Sequence, residues 1–188
     1  MDKKEKLLKT AIKLFVKQGF ENTPTSQISK EAGVASGTLF YHFKTKEELI
    51  NSAYIYCNKS VSAVVNKDFD KTEDTKEKIR KLWFNMINWG LNNKIENDFI
   101  QKFLNSKYIS KLNIKEMESL FEEIKETMKS GIKQGIIKDW SFEIISSIFM
   151  SIYHIFLNDF IKKKKVDNQQ ILNSFEVLWD SINKNKTR

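Results

Sequence analysis

The sequence predicts an all-α protein of about nine helices, from apolar residues that recur at helical spacing along most of its length. Its 188 residues include only one Pro and six Gly, so few turns are expected. Alternation of apolar and polar residues between turn signals is hard to find, which argues against strands. With 40% hydrophobic residues, the chain has the composition of a folded protein rather than a disordered one.

The first helix is predicted over residues 3–18, between recognisable end signals. Asp2 is a favourable N-cap residue, and Glu5 stands at the capping-box position. Gly19 follows the last helical residue and is able to take the positive φ that ends many helices. Both ends of this helix are therefore specified by local sequence.

Two short helices joined by a tight turn are predicted next. Thr25 is expected to cap a helix over 26–32, Gly33 to make the turn, and Ser36 to cap a helix over 37–43. A pair joined in this way holds its second helix outward, where it is able to enter the major groove of DNA. This segment therefore points to a DNA-binding protein.

Longer helices are predicted through the rest of the chain. Thr45 and Glu48 form a capping box for a fourth helix that extends to about residue 66, and the polar segment 67–74 is expected to be a loop. The remaining helices are predicted at about 74–92, 95–107, 113–134, 141–162 and 168–185.

The second helix of the short pair has the residues that a groove-entering helix needs, small at its start and longer one turn later. Its predicted DNA contacts are Ala35, Ser36, Gly37, Thr38, Tyr41 and His42. Its inward side is expected to consist of Leu39, Phe40 and Phe43. The amide ends of the helices at Thr25 and Thr45 are expected to face phosphates, as is the free charge of Lys46.

The charge of the chain agrees with a polyanionic partner. The net charge is +8, and residues 1–46 contain nine lysines against four acidic residues. Two histidines and one cysteine provide no nucleophile–base or metal-ligand spacing, so neither an enzyme nor a metal site is expected. Cys57 is expected to pack as a small apolar residue, with a redox-sensing thiol as the alternative.

Neither a secretory signal nor a membrane span is predicted. The first residues, MDKKEK, lack an apolar stretch, so the protein is expected in the cytoplasm. The segment 142–161 is the most apolar of the chain, but Glu143, His154, Asn158 and Asp159 interrupt it. We therefore interpret this segment as a helix buried at an interface.

Residues 7–49 resemble the DNA-binding domain of the TetR family of transcriptional regulators. The resemblance lies in LLKTAIKLFVKQGFENT, AGVASGTLFYHF and KTKEEL. It implies that Thr25 contacts the DNA backbone, that Lys46 contacts a phosphate, and that the recognition-helix contacts are Ser36, Gly37, Thr38, Tyr41 and His42. The chain has Phe40 where the family usually has a Tyr whose hydroxyl reaches a phosphate, so Phe40 is not expected to make that polar contact.

The resemblance also implies how such a protein works. Family members are homodimers that bind palindromic operators, usually as repressors released by a small ligand. On this basis residues 1–46 are assigned to a helix-turn-helix DNA-binding domain and residues 47–188 to a helical domain for ligand binding and dimerisation, without a cofactor.

The middle helices are rich in aromatic residues that suit a pocket for an apolar or flat ligand. The candidate ligand-binding residues are Trp83, Met86, Trp89, Phe99 and Phe103. For each residue alone, ordinary packing in the core is the alternative. The sequence does not distinguish the two.

The last two predicted helices have wide apolar faces that a single copy would not easily cover. We therefore expect them to form a four-helix bundle with a second copy. The candidate dimer-interface residues are Ile148, Ile152, Phe156, Phe175, Leu178, Trp179 and Ile182.

Two functions follow from the sequence, and both bind double-stranded DNA. The first is a sequence-specific transcriptional regulator with a small, largely apolar or aromatic effector. The second is a non-specific architectural protein, which would explain the positive charge but not the small residues that begin the recognition helix.

Overall fold

The computed structural model describes residues 2–67, 74–111, 114–163 and 165–184. Within them the chain forms ten α-helices and no strand, which confirms the all-α prediction, while most of the predicted loop at 67–74 lies outside the described residues. The helices are α1 (Lys3–Gln18), α2 (Thr25–Ala32), α3 (Ser36–His42), α4 (Lys46–Val65), α5 (Thr75–Asn92), α6 (Lys94–Leu104), α7 (Ile114–Leu120), α8 (Glu122–Lys133), α9 (Phe142–Lys162) and α10 (Asn168–Ile182). A 3₁₀ helix covers Lys107–Lys111.

The chain divides into two compact units. The first contains residues 1–60 and 93–120, and the second contains residues 61–92 and 121–188. Helix α4 is continuous across residue 60, so it belongs to both units. The sequence boundary at residue 46 separates two proposed functions rather than two compact units, and it stays a prediction.

Aromatic packing joins α6 to the N-terminal helices within the first unit. The ring of Phe99 on α6 lies 6.2 Å from the ring of Phe15 on α1 and 5.8 Å from that of Phe20. Phe103, one turn further along α6, stacks on Tyr54 of α4 with ring centroids 4.0 Å apart. The N-terminal helices therefore share their core with a segment that lies about fifty residues further along the sequence than α3.

In the second unit, α5, α9 and α10 pack around Trp83. This side chain is fully buried, and its indole N–H donates a 2.9 Å hydrogen bond to the hydroxyl of Ser174 on α10. The Trp83 ring meets that of Phe149 on α9 edge to face, with centroids 5.4 Å apart. The apolar surface of the indole is thus buried inside the unit, and its N–H group has a hydrogen-bond acceptor there.

Three helix ends differ from the sequence prediction. Helix α6 stops at Leu104, because two side chains after it donate to its last carbonyls. The side-chain amide of Asn105 donates to the carbonyl of Gln101, and the Ser106 hydroxyl donates to that of Phe103. The helix predicted over 113–134 is interrupted at Phe121 (φ −125°, ψ 16°), where the chain passes into the second unit. Helix α10 ends at Ile182 because Asn183 forms an antiparallel bridge with Ile137.

Helix α9 has the length and composition of a membrane-spanning helix. Its most apolar 18-residue stretch has a mean hydropathy of 1.5, and 28% of that stretch is buried. Core helices of soluble proteins have the same properties, so this observation is weak evidence for a membrane.

Replacing Gly90 of α5 by Ala should destabilise the protein. An added Cβ would lie 2.5 Å from the Tyr153 hydroxyl oxygen and 2.7 Å from a methyl carbon of Leu157, both on α9. Because these side chains must shift, we expect a loss of roughly 1–3 kcal/mol in the free energy of unfolding, measured by urea denaturation at a fixed protein concentration.

The matched control is Gly37→Ala. An added Cβ at this helical position meets nothing within 4 Å. Its unfolding midpoint should equal or exceed that of the wild type, since Ala favours a helix over Gly by about 1 kcal/mol. Equal midpoints for the Gly90→Ala and Gly37→Ala variants would contradict the close packing of α5 on α9.

Candidate nucleic-acid interface

The turn between α2 and α3 is made by Gly33, as predicted. Gly33 has a left-handed backbone (φ 63°, ψ 36°), a conformation that residues with a Cβ rarely adopt. Its N–H donates to the carbonyl of Lys30 at 3.1 Å, and the N–H of the buried Val34 donates to the carbonyl of Ser29 at 2.9 Å. These bonds end α2 and lead the chain directly into α3.

Helix α3 has one buried side and one exposed side. Leu39 is fully buried, as is Phe43 immediately after the helix, and these two side chains hold α3 against the first unit. The predicted DNA contacts lie on the remaining surface, where Ala35, Ser36, Gly37 and Tyr41 are exposed and Thr38 and His42 are half-buried. Tyr41 is 75% exposed, the most of the large apolar or aromatic residues exposed on the described surface.

Phe40 does not face inward, and this part of the sequence prediction is wrong. Its side chain is 46% exposed. Leu39 and Phe43, four residues apart, define the buried direction of α3, and Phe40 is rotated by about 100° from Leu39 around the helix axis. The ring therefore lies at the edge of the exposed surface, next to Tyr41.

The predicted caps are only partly confirmed. Asp2 and Ser36 make no side-chain capping bond: Asp2 precedes α1, whereas Ser36 is already the first residue of α3. Thr25 is likewise the first residue of α2 rather than its cap. Thr45 does cap α4, since its hydroxyl accepts from the Glu48 N–H at 3.1 Å, while the Glu48 carboxylate accepts from the Lys44 N–H at 2.7 Å.

Lys46 is not free of partners, contrary to the expectation from sequence. Its ammonium group donates to the backbone carbonyl of Glu21 at 3.3 Å. This bond ties the first turn of α4 to the loop after α1 and uses one of the three N–H donors of the ammonium group. Two donors and the full positive charge remain for a phosphate.

The Glu21 side chain is bound in turn by the segment after α6. Its carboxylate accepts from Lys107 at 2.8 Å and from the Tyr108 hydroxyl at 3.1 Å. The hydrogen bond from Lys107, followed by that from Tyr108, holds the pKa of the Glu21 carboxyl below its usual value. The carboxylate therefore stays ionised at neutral pH and moderates the positive charge beside Lys46.

Two residues of this surface, Phe40 and Lys44, were not among the predicted DNA contacts, and Phe40 was expected inward. The Lys44 ammonium nitrogen lies 5.9 Å from the centroid of the exposed Tyr41 ring. Phe40 follows Gly37 by three residues and Ser36 by four, so a helical projection of α3 would have indicated it. Lys44 lies beyond the end of α3, after the extended Phe43, where helical spacing no longer applies. Their charge and ring extend the exposed surface beyond the predicted contacts.

The five candidate ligand-binding residues are packed in the cores of their own units. Trp83, Trp89, Phe99 and Phe103 are buried, and Met86 is half-buried. A surface groove of about 490 Å³ in the first unit has none of the five in its lining. It is lined instead by Asp2, Lys4, Glu5, Leu8, Ser52, Ile55, Tyr56, Lys59 and Glu116. The alternative of ordinary core packing describes the structure as it stands.

The candidate dimer-interface residues divide into two groups. The four on α10 (Phe175, Leu178, Trp179 and Ile182) are buried within the chain itself, which leaves little of their surface for a second copy, and their place at an interface stays a prediction. They face inward because α10 covers α5 and α9 in the second unit. The three on α9 (Ile148, Ile152 and Phe156) are half-buried, and the most exposed apolar residues nearby are Ile144, Ile155 and Val177.

The described residues contain no metal-binding group of three or more His, Cys, Asp or Glu. Cys57 of α4 is fully buried, and this burial raises the pKa of its thiol. A buried, protonated thiol is unreactive, which agrees with the packing role expected for Cys57 rather than a redox role.

Comparisons with known proteins agree on a helix-turn-helix regulator. Residues 7–53 match the family model described as bacterial regulatory proteins, tetR family. A crystal structure from Shewanella sp. PV-4, assigned to tetR-family transcription regulators, superposes with a TM-score of 0.89 at 26% identity and covers 97% of this chain and 99% of that one.

Two curated relatives from Bacillus subtilis are HTH-type transcriptional regulators whose roles are uncharacterised. YhgD is 23% identical over 168 residues, which span 87% of this chain and 86% of YhgD. YerO is 40% identical over 73 residues, and there the match covers 39% of this chain but only 24% of YerO. The higher identity is thus confined to a short part of YerO.

Replacing Tyr41 by Ala should weaken DNA binding without changing thermal stability. The side chain is 75% exposed, so its removal takes little apolar surface out of the core. The reference variant is Leu39→Ala on the buried side, which should lose about 2–5 kcal/mol. Thermal unfolding followed by circular dichroism checks both variants, and a large drop in the melting temperature of Tyr41→Ala would place this residue in the core instead.

Proposed function

We propose that the chain, whose residues 7–53 match the tetR-family model, is a dimeric, sequence-specific regulator of transcription in the cytoplasm. We propose further that it is a repressor and that a small, largely apolar or aromatic ligand releases it from a palindromic operator. The relatives that the chain matches are transcriptional regulators and not enzymes.

The observation that carries this proposal is the exposed side of α3. Small side chains at Ala35, Ser36 and Gly37 leave room for the helix to approach base edges closely, and Tyr41 projects beyond them. Leu39 and Phe43 are anchored in the core, so the exposed side is presented in one fixed orientation. Such a rigid, shaped helix suits the major groove of specific DNA sequences.

The groups that surround α3 suit phosphates rather than bases. The N-terminus of α4 is capped by Thr45, and Lys46 in its first turn keeps two free N–H donors beside the bond to Glu21. Thr25 opens α2 with its side chain half-buried. In this proposal these groups set the register of the protein on the duplex, and the exposed residues of α3 provide specificity.

A palindromic operator requires two copies of α3 related by twofold symmetry. We propose that two copies associate through the outer side of α9, with Ile148, Ile152 and Phe156 from the sequence prediction and with the adjacent Ile155. Ile155 is 67% exposed, which is unusual for an aliphatic side chain on a helix this apolar. It lies three residues after Ile152, so both project from the same side of α9.

Ligand control would act through α4. This helix begins at Lys46 in the first unit and continues to Val65 in the second. Along the chain it therefore connects α3 to α5, which contains Trp83 and Trp89. A ligand that tilts α4 would change the spacing of the two recognition helices, which must match successive major grooves. Trp83, Met86 and Trp89 stay candidates, but side chains must move before a ligand enters their packed core.

A non-specific architectural protein is the second function that the sequence allows, and the two functions differ in one measurable property. A regulator binds its own operator far more tightly than random DNA, whereas an architectural protein binds both alike. Binding of labelled duplexes from the region upstream of its gene, compared with random duplexes over a range of salt concentrations, distinguishes them. Equal affinities would reject the regulator.

Replacing Lys46 by Ala should weaken binding to all DNA sequences to a similar extent. We expect the slope of log K against log salt concentration to fall by about one for each phosphate that the protein no longer neutralises. Lys133→Ala, at the exposed end of α8 in the second unit, removes the same charge elsewhere and serves as the control. If both variants keep the wild-type slope, Lys46 contacts no phosphate.

Replacing Ile155 by Glu should convert the dimer to monomers, because a charge would be buried at the proposed interface. Sedimentation velocity measures the dimer directly, and circular dichroism shows whether the fold is kept. Ile95→Glu is the matched control, since Ile95 is 41% exposed but lies on α6 in the other unit. A dimer that survives Ile155→Glu would place the interface elsewhere.

A further inference from the structure

We infer that Phe40 contacts the 5-methyl group of a thymine and so determines part of the operator sequence. This inference rests on the proposed function, in which α3 enters the major groove. It goes beyond that function because it assigns one base preference to one side chain. The residue is also the place where the sequence departs from the family pattern.

The surface of α3 around Phe40 is open and exposed. Phe40 and Tyr41 follow Gly37 by three and four residues, so both rings flank the position of Gly37 on the helix surface. An added Cβ on Gly37 would meet nothing within 4 Å. Gly37 thus borders open space on the surface of α3, and the exposed Phe40 and Tyr41, 46% and 75% exposed, follow it about one turn later.

A phenylalanine ring is apolar and favours contact with another apolar group. Phe40 has no hydrogen-bond donor, so it contributes no hydrogen bond to a phosphate or to a base edge. In the major groove the distinctive apolar group is the 5-methyl of thymine, whereas cytosine presents an amino donor and purines present acceptors and donors. A ring that leaves water on binding is therefore stabilised most next to thymine.

The position of Gly37 allows α3 to approach the bases closely. Gly37 lacks a side chain that would hold the helix away from the bases, so a methyl group has room to approach the exposed Phe40 ring. The neighbouring Leu39 is fully buried and fixes the rotation of α3, so the Phe40 ring stays at the edge of the exposed surface. The preference is thus built into a rigid helix rather than a mobile loop.

The size of the effect follows from the area of one methyl group. Removing a buried methyl from the interface should weaken binding about fourfold, and two half-sites should give roughly fifteenfold for the dimer. This is smaller than the loss of a bidentate hydrogen bond, and it is measurable in a direct titration.

The experiment begins with selection of binding sites from a random double-stranded library by the wild-type dimer. The selected duplex is then synthesised with deoxyuridine in place of thymidine, first at all positions and then at one symmetry-related pair of positions at a time. Uracil lacks only the methyl group. We expect one symmetry-related pair of thymines at which the exchange weakens wild-type binding about fifteenfold.

Variants identify the residue that contacts this methyl. Phe40→Ala should bind the thymine and uracil duplexes equally at that position, while Phe40→Tyr should still prefer thymine because it keeps the ring. The control Ile95→Ala, an exposed aliphatic truncation on α6, should keep the full wild-type preference. Since Phe40 is 46% exposed, the variant Phe40→Ala should remain folded, which its melting temperature checks.

The outcomes separate this inference from the proposed function. Selection that enriches no sequence would reject the regulator itself. An enriched site that the wild type binds equally with thymine and uracil would keep the regulator and overturn the methyl contact. A thymine preference that persists unchanged in Phe40→Ala would also overturn it, because another side chain would then contact the methyl.

Discussion

The structure of the DNA-facing part depends on the burial of Leu39 and Phe43. A helix of seven residues is too short to be stable alone, so α3 exists because these two side chains are fully buried against the first unit. They also fix its rotation, since two anchors four residues apart leave one orientation in which both reach the core. The exposure of Gly37, Phe40 and Tyr41 follows from that orientation. A change in either anchor would therefore alter the whole recognition surface rather than one side chain.

The same core includes a segment from much later in the chain. Phe99 and Phe103 of α6 pack against Phe15 and Tyr54, and residues just after α6 bind the Glu21 carboxylate in the loop after α1. The match to the family model ends at residue 53, before this segment. The helices that face DNA thus depend for their packing on residues outside that match. Because α6 packs on α1, a displacement of α6 would also move α1, which would add to the proposed route through α4.

Local sequence was sufficient for the positions of most helices but not for the direction of their side chains. Gly33 and Thr45 behave as predicted because their conformations depend on neighbouring backbone atoms. Phe40 was expected inward because it is apolar, yet a seven-residue helix has only one buried stripe, and Leu39 occupies it. Periodicity likewise showed that the apolar residues of α10 would be buried, but not whether by this chain or by a second copy. That distinction depends on tertiary packing, which a single sequence does not display.

The combination of Phe40 with Lys46 has a consequence for specificity. Contacts between lysine and phosphate weaken as salt rises, because the release of counterions is then less favourable, whereas an apolar contact to a methyl group is nearly independent of salt. A tyrosine hydroxyl bound to phosphate at position 40 would add sequence-independent affinity, and phenylalanine removes that contribution. In the proposed function, non-specific binding would then rely on lysines such as Lys46, one of whose donors is already bound to Glu21. If Phe40 contacts thymine as inferred, the presence of Phe instead of Tyr lowers affinity for all DNA by a similar factor while the preference for one base is kept, so the ratio of specific to non-specific binding is maintained at a lower absolute affinity.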